Sequence, residues 1–455
     1  MTTTSLDHTS ECLAWMRRGA RPRDRFRIGT ELERLVINHH GERLPYAGPV
    51  SIRTLLERLA SRHGWQLVTE HDQPIAATRA GASITLEPAG QMELSSAPWR
   101  TIGETRTEID NYYAELDDVS ADLGVAFCHL GIDPFTRLGD VPMMPKDRYH
   151  HMRAWMPRVG GLGLTMMHQT CTVQTNIDFS DEAEAMEMLR LGYLLTPVLL
   201  ALFANSPWRN GADTGYATFR GHVWTDVDRA RCDPGAFVFD PSAGLKDYCE
   251  WALDVPVYFL LEKGPGGTKR YRGMDGKTTF RMLIERGIDG RRPGEDDWAL
   301  HLSTLFPDVR LKQHVEIRAA DMVPPELLIA LPALTKGLFY DVEARRGALA
   351  LLGDGDDRID RAALREAACR QALDGRVGDL HLGELATAVL VLAHAGLTRQ
   401  HRFESDAAAF EAIAPLEALC RGEMTPPWRQ VAAQMSAGAR HLGVFAQARR
   451  LPSAA

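Results

Sequence analysis

Two glutamates, Glu31 and Glu33, stand two residues apart in Phe26-Arg-Ile-Gly-Thr-Glu-Leu-Glu-Arg-Leu-Val-Ile37, where apolar and polar residues alternate as in a β-strand. Strand side chains alternate between faces, so both carboxylates project from one side while Phe26, Ile28 and Leu32 take the other. The division recurs in Ser83-Ile-Thr-Leu-Glu-Pro-Ala-Gly-Gln-Met-Glu-Leu-Ser95, where Pro88-Ala-Gly90 reads as a turn between two short strands. Glu87 then lies on one arm and Gln91 and Glu93 on the other, opposite Ile84, Leu86, Met92 and Leu94. In Cys171-Thr-Val-Gln-Thr-Asn-Ile-Asp-Phe179 the polar side carries Gln174, Asn176 and Asp178. In Arg310-Leu-Lys-Gln-His-Val-Glu-Ile-Arg318, read as a strand, it carries Arg310, Lys312, His314, Glu316 and Arg318.

Carboxylates crowded on one face raise one another's pKa unless a cation sits among them. Glutamates with an amide are an oxygen ligand set for Mg²⁺ or Mn²⁺, ions that also keep water and substrate phosphates in their shell. Lys312, Arg318, Arg153 and Arg220 supply the positive charge that phosphoryl transfer needs beside such a metal. The plainer alternative is that each glutamate decorates a solvated strand face and that Arg220 forms a surface ion pair; four such segments together favour the site. Each of Glu31, Glu93 and Glu316 is expected to be removable without loss of the fold, because a repelling carboxylate goes.

Other motifs carry less. Gly273-Met-Asp-Gly-Lys-Thr278 ends like a phosphate-binding loop, but Tyr271 stands where that loop's first glycine belongs, so the segment reads as a turn. Gly264-Pro-Gly-Gly267 reads as a mobile loop, with a lid over a nucleotide as the alternative.

The elements that must position these residues fall in two regions. From about Arg25 to Asp321 alternating segments recur between helical stretches, whereas beyond about Pro325 the chain is Ala-, Leu-, Arg- and Glu-rich with helical spacing. Helices are expected at Ile52 to Arg62, Ile102 to Leu123, Asp181 to Ala204, Leu327 to Leu352, Leu382 to Ala395 and Pro426 to Arg449. Asp181 with Glu184 forms a capping start for the third of these. The expected organisation is an N-terminal segment (1–24), a sheet-bearing catalytic region (25–325) and a helical part (326–455) packed on the same domain. One side of the sheet packs on helices and the other faces a cavity, with mostly antiparallel pairing.

Composition narrows the classes. Of 455 residues, 45% are hydrophobic and 25% charged, which excludes disordered and fibrous chains. A net charge of −8 and the lack of a basic stripe speak against a nucleic-acid partner. Seven scattered cysteines without a C-x-x-C pattern read as reduced thiols, not as a disulfide framework or zinc site. Residues 1–27 lack the apolar core of a signal peptide, and the run Leu191 to Ala204 is too short for a membrane span. A cytoplasmic protein with no membrane partner is expected; the oligomeric state is left open.

The segments Ile28-Gly-Thr-Glu-Leu-Glu33, Leu86-Glu-Pro-Ala-Gly-Gln-Met-Glu-Leu-Ser95, Met144-Pro-Lys-Asp-Arg-Tyr149, Met156-Pro-Arg-Val-Gly160, Cys171-Thr-Val-Gln-Thr-Asn176, Phe203-Ala-Asn-Ser-Pro207, Arg220-Gly-His-Val-Trp-Thr-Asp226 and Glu316-Ile-Arg318 together resemble the glutamate-cysteine ligases of the plant and proteobacterial type. They run in that family's order over roughly Arg27 to Asp321. The resemblance implies an α+β fold, with the curved, mostly antiparallel sheet forming a funnel of the glutamine synthetase-like kind. It implies an ATP-dependent ligation of the γ-carboxylate of glutamate to the amine of cysteine through a γ-glutamyl phosphate, the first step toward glutathione or a related thiol. On this resemblance Glu31, Glu33, Glu87, Glu93 and Glu316 would hold two or three Mg²⁺ (or Mn²⁺) ions around the phosphates of the co-substrate ATP. Gln174 occupies a position where relatives carry a metal-binding histidine. Arg318 and Lys312 would contact the transferring phosphate, and Arg220 and Arg153 the carboxylate of a substrate. A ligase for a different amine and a non-catalytic nucleotide-binding relative remain open alternatives.

Overall fold

The alternation at Phe26 to Ile37 becomes the longest strand of the molecule's main sheet, β1 (Ile28–Ile37). A computed structural model describes residues 5–263 and 269–446; the Gly264 to Gly267 loop, and with it the lid expectation, lies outside the described residues. After β1 come β2 (Gln66–Glu70), β3 (Gln73–Arg79), β4 (Ala82–Leu86), β5 (Met92–Ser95), β6 (Ala126–Cys128) and β7 (Val173–Ile177). Two short hairpins follow, β8 (Trp208–Arg209) with β9 (Ala212–Asp213) and β10 (Phe259–Lys263) with β11 (Lys269–Gly273). Then come β12 (Val309–Leu311) and β13 (Val315–Ile317), and last a short hairpin of β14 (Arg376–Val377) and β15 (Leu380–His381).

Nine of these strands form one sheet in the order β12-β13-β7-β1-β5-β4-β3-β2, with β6 beside the far end of β1. Every pairing is antiparallel. Directly opposed residues in such pairs share a face. Glu31 faces Gln174 on β7 and Ser95 on β5, Glu33 faces Glu93, and Glu93 faces Thr85. Glu316 faces Asn176 on one side and Arg310 on the other. One polar face thus runs across six neighbouring strands, β12 to β4.

The opposite face is the core. Ile28, Leu32, Ile84, Leu94, Val173, Ile177 and Val315 are buried there, each side chain stabilising the fold by about 1.5–3 kcal/mol. Helix Ala330–Phe339 packs on β7 and β1, and helix Ile52–His63 on β3 and β2. Helix Glu182–Leu202 packs against β12 and β13. Gly192 sets that approach, because a Cβ there would come within 2.8 Å of a Val309 methyl. Asp181 caps this helix as expected, accepting the Glu184 N–H at 2.9 Å. By length and composition the helix could cross a membrane, but 89% of its apolar window is buried in the protein core.

Three expectations need correction. Arg310 to Arg318 is a hairpin, not one strand: the ladder carries Arg310 opposite Glu316, and the chain reverses at Lys312 to His314. Both registers put Arg310 and Glu316 on one side, so the polar face survives the change. The expected helix Leu327 to Leu352 is two helices, Ala330–Phe339 and Val342–Leu351. Asp341 starts the second by accepting the Ala344 N–H, while the Tyr340 hydroxyl turns toward β7 and accepts the Asp178 N–H. The last expected helix runs only over Pro427–Ser436, and helices Arg361–Gln371 and Ala407–Cys420 were not foreseen. Gly273 to Thr278 ends in the expected turn, in which Asp275 accepts the N–H groups of Lys277 and Thr278.

Candidate active site

The polar face floors a cavity with about 1170 Å³ of empty space, part of it open to solvent. Glu31, Glu33, Glu87, Glu93, Gln174, Arg220 and Arg318 line it, joined by Arg148, Tyr149 and Arg310. The turn that brings Glu87 to Glu93 closes through Gly90 N–H to Glu87 O at 2.9 Å. Gly90 sits there at φ +80°, a conformation that favours glycine.

The carboxylates divide into two electrostatic groups. Glu31, Glu33, Glu87 and Glu93 crowd together with few donors: Asn176 Nδ2 to Glu31 at 2.8 Å, Thr172 N–H to Glu33 at 3.1 Å, Ser95 hydroxyl to Glu93 at 2.8 Å. Burial, with Glu316 and Glu93 nearby, pushes the Glu31 carboxyl up to about 7. Burial and the charges of Glu87 and Glu93 push Glu33 well up, and burial with Glu87 raises Glu93. Such a cluster is poised to take a cation.

Glu316 is the opposite case. It is fully buried, and Arg310 grips it in bidentate fashion at 2.9 and 2.7 Å. Lys312 Nζ lies 3.1 Å from its other side, and Arg318 donates to it as well. Burial alone would raise this carboxyl, but the three cations hold it well below the usual carboxylate range. The expectation that Glu316 is a repelling carboxylate, removable without cost to the fold, needs correction: it is the shared anion of three cations, buried Arg310 and half-buried Lys312 and Arg318. Gln174 is likewise engaged, its side-chain oxygen accepting from Arg318 at 2.8 Å.

The two arginines expected at a substrate carboxylate fare differently. Arg220 is a cavity-wall residue but no surface ion pair: it is buried, donating to Ala319 O and Arg318 O at 3.1 Å each. Arg153 does not line the cavity; its guanidinium meets His168 Nε2 at 2.9 Å and Met143 sulfur at 3.3 Å. The helix Asp147–Trp155 that carries Arg153 turns Arg148, Tyr149 and Met152 toward the cavity instead. Arg148 donates to the Tyr149 hydroxyl at 3.3 Å and makes no ion pair with a carboxylate among the described residues. A helical reading of Asp147 to Trp155 pairs positions 148 and 152 on one face; that was the signal available for Arg148. Met166, Met167, Phe259, Trp224 and Phe306 add apolar wall, alternating with polar residues such as Gln91, Thr172 and Ser303.

Residues 27–434 match the model of glutamate-cysteine ligase family 2. The chain is 39% identical over 395 residues to the chloroplastic glutamate–cysteine ligase of Arabidopsis thaliana, covering 86% of this chain and 74% of that one. It is 37% identical over 395 residues to the chloroplastic glutamate–cysteine ligase B of rice, with 86% and 77% covered. Among solved structures, the glutamate–cysteine ligase of Francisella tularensis in complex with AMP superposes with a TM-score of 0.52 at 12% identity, over 92% of this chain and 86% of that chain. The bifunctional glutathione synthetase of Pasteurella multocida gives 0.50 at 11% identity, over 97% and 53%. At those identities the likeness concerns the fold.

Proposed function

The chain belongs to glutamate-cysteine ligase family 2, and from that premise we propose how its polar sheet face performs the reaction. The protein is a ligase that uses ATP to join glutamate to cysteine, giving γ-glutamylcysteine for glutathione synthesis. The observation that carries our reading of the site is the juxtaposition, in one cavity, of an under-neutralised carboxylate cluster with Arg310 and Arg318, both paired to the same Glu316 that Lys312 also grips.

A carboxylate does not react with an amine at neutral pH, so the γ-carboxylate of glutamate first attacks the γ-phosphorus of ATP, and ADP departs. The amine then attacks the acyl carbon, loses a proton and expels phosphate. Lys312 and Arg318 face the transferring phosphoryl group and offset its charge. Glu31, Glu33, Glu87 and Glu93 would hold Mg²⁺, which fits their crowding and the raised pKa values of Glu31, Glu33 and Glu93. When bound, Mg²⁺ supplies charge neutralisation to the phosphates and aligns attacking and leaving oxygens. Arg148, lacking a carboxylate partner, takes an anionic group of a substrate, and the methionine, phenylalanine and tryptophan walls keep water from the acyl phosphate. No serine or cysteine nucleophile is required, because the substrate's own carboxylate attacks.

Incubation with ATP, Mg²⁺, glutamate and a panel of amines should release ADP and phosphate and give γ-glutamylcysteine by mass spectrometry; AMP with pyrophosphate would rule out the acyl phosphate. In the same assay Arg148→Ala should raise the KM of one anionic substrate about tenfold or more. An unchanged KM for both ATP and glutamate would remove Arg148 from substrate contact.

The raised Glu31 pKa also has a sign. Between its ordinary value of 4.5 and its folded value of about 7, the folded protein retains a proton that the unfolded chain has released. Stability of the metal-free protein therefore falls as pH rises through that window. Mg²⁺ should raise the thermal midpoint more at about pH 8 than at about pH 5; equal gains in differential scanning fluorimetry would place the ion elsewhere.

A further inference from the structure

Arg220 is too well buried to hold its charge unaided. Its guanidinium is 1% exposed, two of its nitrogens are spent on backbone carbonyls, and its Nε has no partner. The nearest carboxylate is Asp321, whose Oδ1 lies 3.9 Å from Arg220 Nη1. Asp321 is itself buried, and its oxygens are fully engaged. Oδ2 accepts the Asn205 N–H at 2.8 Å and the Ser206 hydroxyl at 2.7 Å, and Oδ1 accepts the Thr218 hydroxyl at 3.0 Å.

Both hydroxyls lead back to Arg220. Ser206 Oγ accepts the Arg220 backbone N–H at 3.0 Å. Thr218 is the N-cap of the short helix Phe219–Val223 that carries Arg220, its Oγ1 accepting the Gly221 N–H at 3.1 Å. One carboxylate thus fixes the start of that helix, the backbone of Arg220 and the charge at its tip. Arg220 in turn clamps the carbonyls of Arg318 and Ala319, where the chain leaves β13. Arg318 reaches from that point to Glu316 and Gln174. The guanidinium carbons of Arg220 and Arg318 lie 5.7 and 5.9 Å from the centre of the same Trp224 ring, so a shift in one is felt by the other. Space around Asp321 is tight: a Cβ on Gly131 would come within 2.6 Å of the carboxylate carbon.

We propose that Asp321 is the positioning residue for the Arg220–Arg318 pair, acting on catalysis through Arg220 without touching substrate. This rests on the ligase reading, in which Arg318 faces the transferring phosphoryl group. The side chain lies outside the cavity lining, so its effect must pass through the residues it holds.

The test is a double-mutant cycle on the full chain. Asp321→Asn keeps the shape and removes the charge; kcat should fall about tenfold or more. Arg220→Gln should fall at least as far. In the double variant, Asp321→Asn should add less than about twofold to the Arg220→Gln loss, because the carboxylate has no guanidinium left to place. Thermal unfolding establishes that each variant is folded. Should Asp321→Asn yield no folded protein, Ser206→Ala, which removes one donor to the carboxylate, enters the same cycle. Wild-type kcat in the aspartate variant, or losses that multiply independently, overturns the inference while leaving the ligase reading intact. Absence of γ-glutamylcysteine from the wild-type protein overturns that reading instead.

Discussion

Glu93→Ala and Glu31→Ala should each lower kcat by about a hundred- to a thousandfold at saturating Mg²⁺, while the folded protein survives. The magnitude is that of removing one preorganised electrostatic contact from a transferring group, roughly 3–4 kcal/mol. The survival follows from the local balance: burial and Glu87 disfavour the Glu93 carboxylate, and its one side-chain donor is Ser95. Removing a group already destabilised by its neighbours should hold or raise the thermal midpoint of the metal-free protein. Steady-state kinetics with unfolding scans check both halves. Near wild-type turnover in both variants would mean that the ion binds elsewhere.

Glu316→Gln should behave in the reverse way and cost stability first. The amide keeps the shape but leaves buried Arg310 and half-buried Lys312 and Arg318 together without their anion, and its own NH₂ group faces donors. Breaking a buried ion cluster by deleting one partner costs about 3–5 kcal/mol. Because the folded-state pKa of Glu316 is depressed, its contribution is fully present above the unfolded carboxyl's pKa and is lost as pH falls through the folded value. Wild type and variant should therefore differ most at neutral pH and converge in acid, as followed by urea unfolding. A variant with wild-type stability and only a lower kcat would release Glu316 for a direct metal role.

The carboxylate face was legible because period two is the strongest local signal a strand emits, and Glu31, Leu32 and Glu33 emit it inside Ile28–Ile37. Pro88 and Gly90 announced the turn that sets Glu87 and Glu93 on facing arms, with Glu93 opposite Thr85. The hairpin at Lys312 to His314 was hidden because no glycine or proline marks it; alternation still put Arg310 and Glu316 on one side, but of the five polar residues only Arg310 and Arg318 line the cavity. Arg148 and Arg153 lie in one polar helix, and only packing decides which faces the cavity. The state of Glu316 was not readable at all: a glutamate among three cations and one among three glutamates look alike until the register is known. Asp321 gave no sign, since its partners Asn205, Ser206 and Thr218 lie far away in the chain.

The order of strands also governs when the molecule can be finished. β7 pairs on one edge with β1, made early, and on the other with β13, made some 140 residues after β7 itself. A nascent chain emerging from the ribosome therefore carries β7 with one row of N–H and C=O groups open until the β12–β13 hairpin is synthesised. An unpaired edge beside the apolar helix Glu182–Leu202 is a template for the wrong partner. Chains halted before Val309 should be the aggregation-prone species, and the hairpin that brings Arg310 to the cavity is also the segment that ends the hazard.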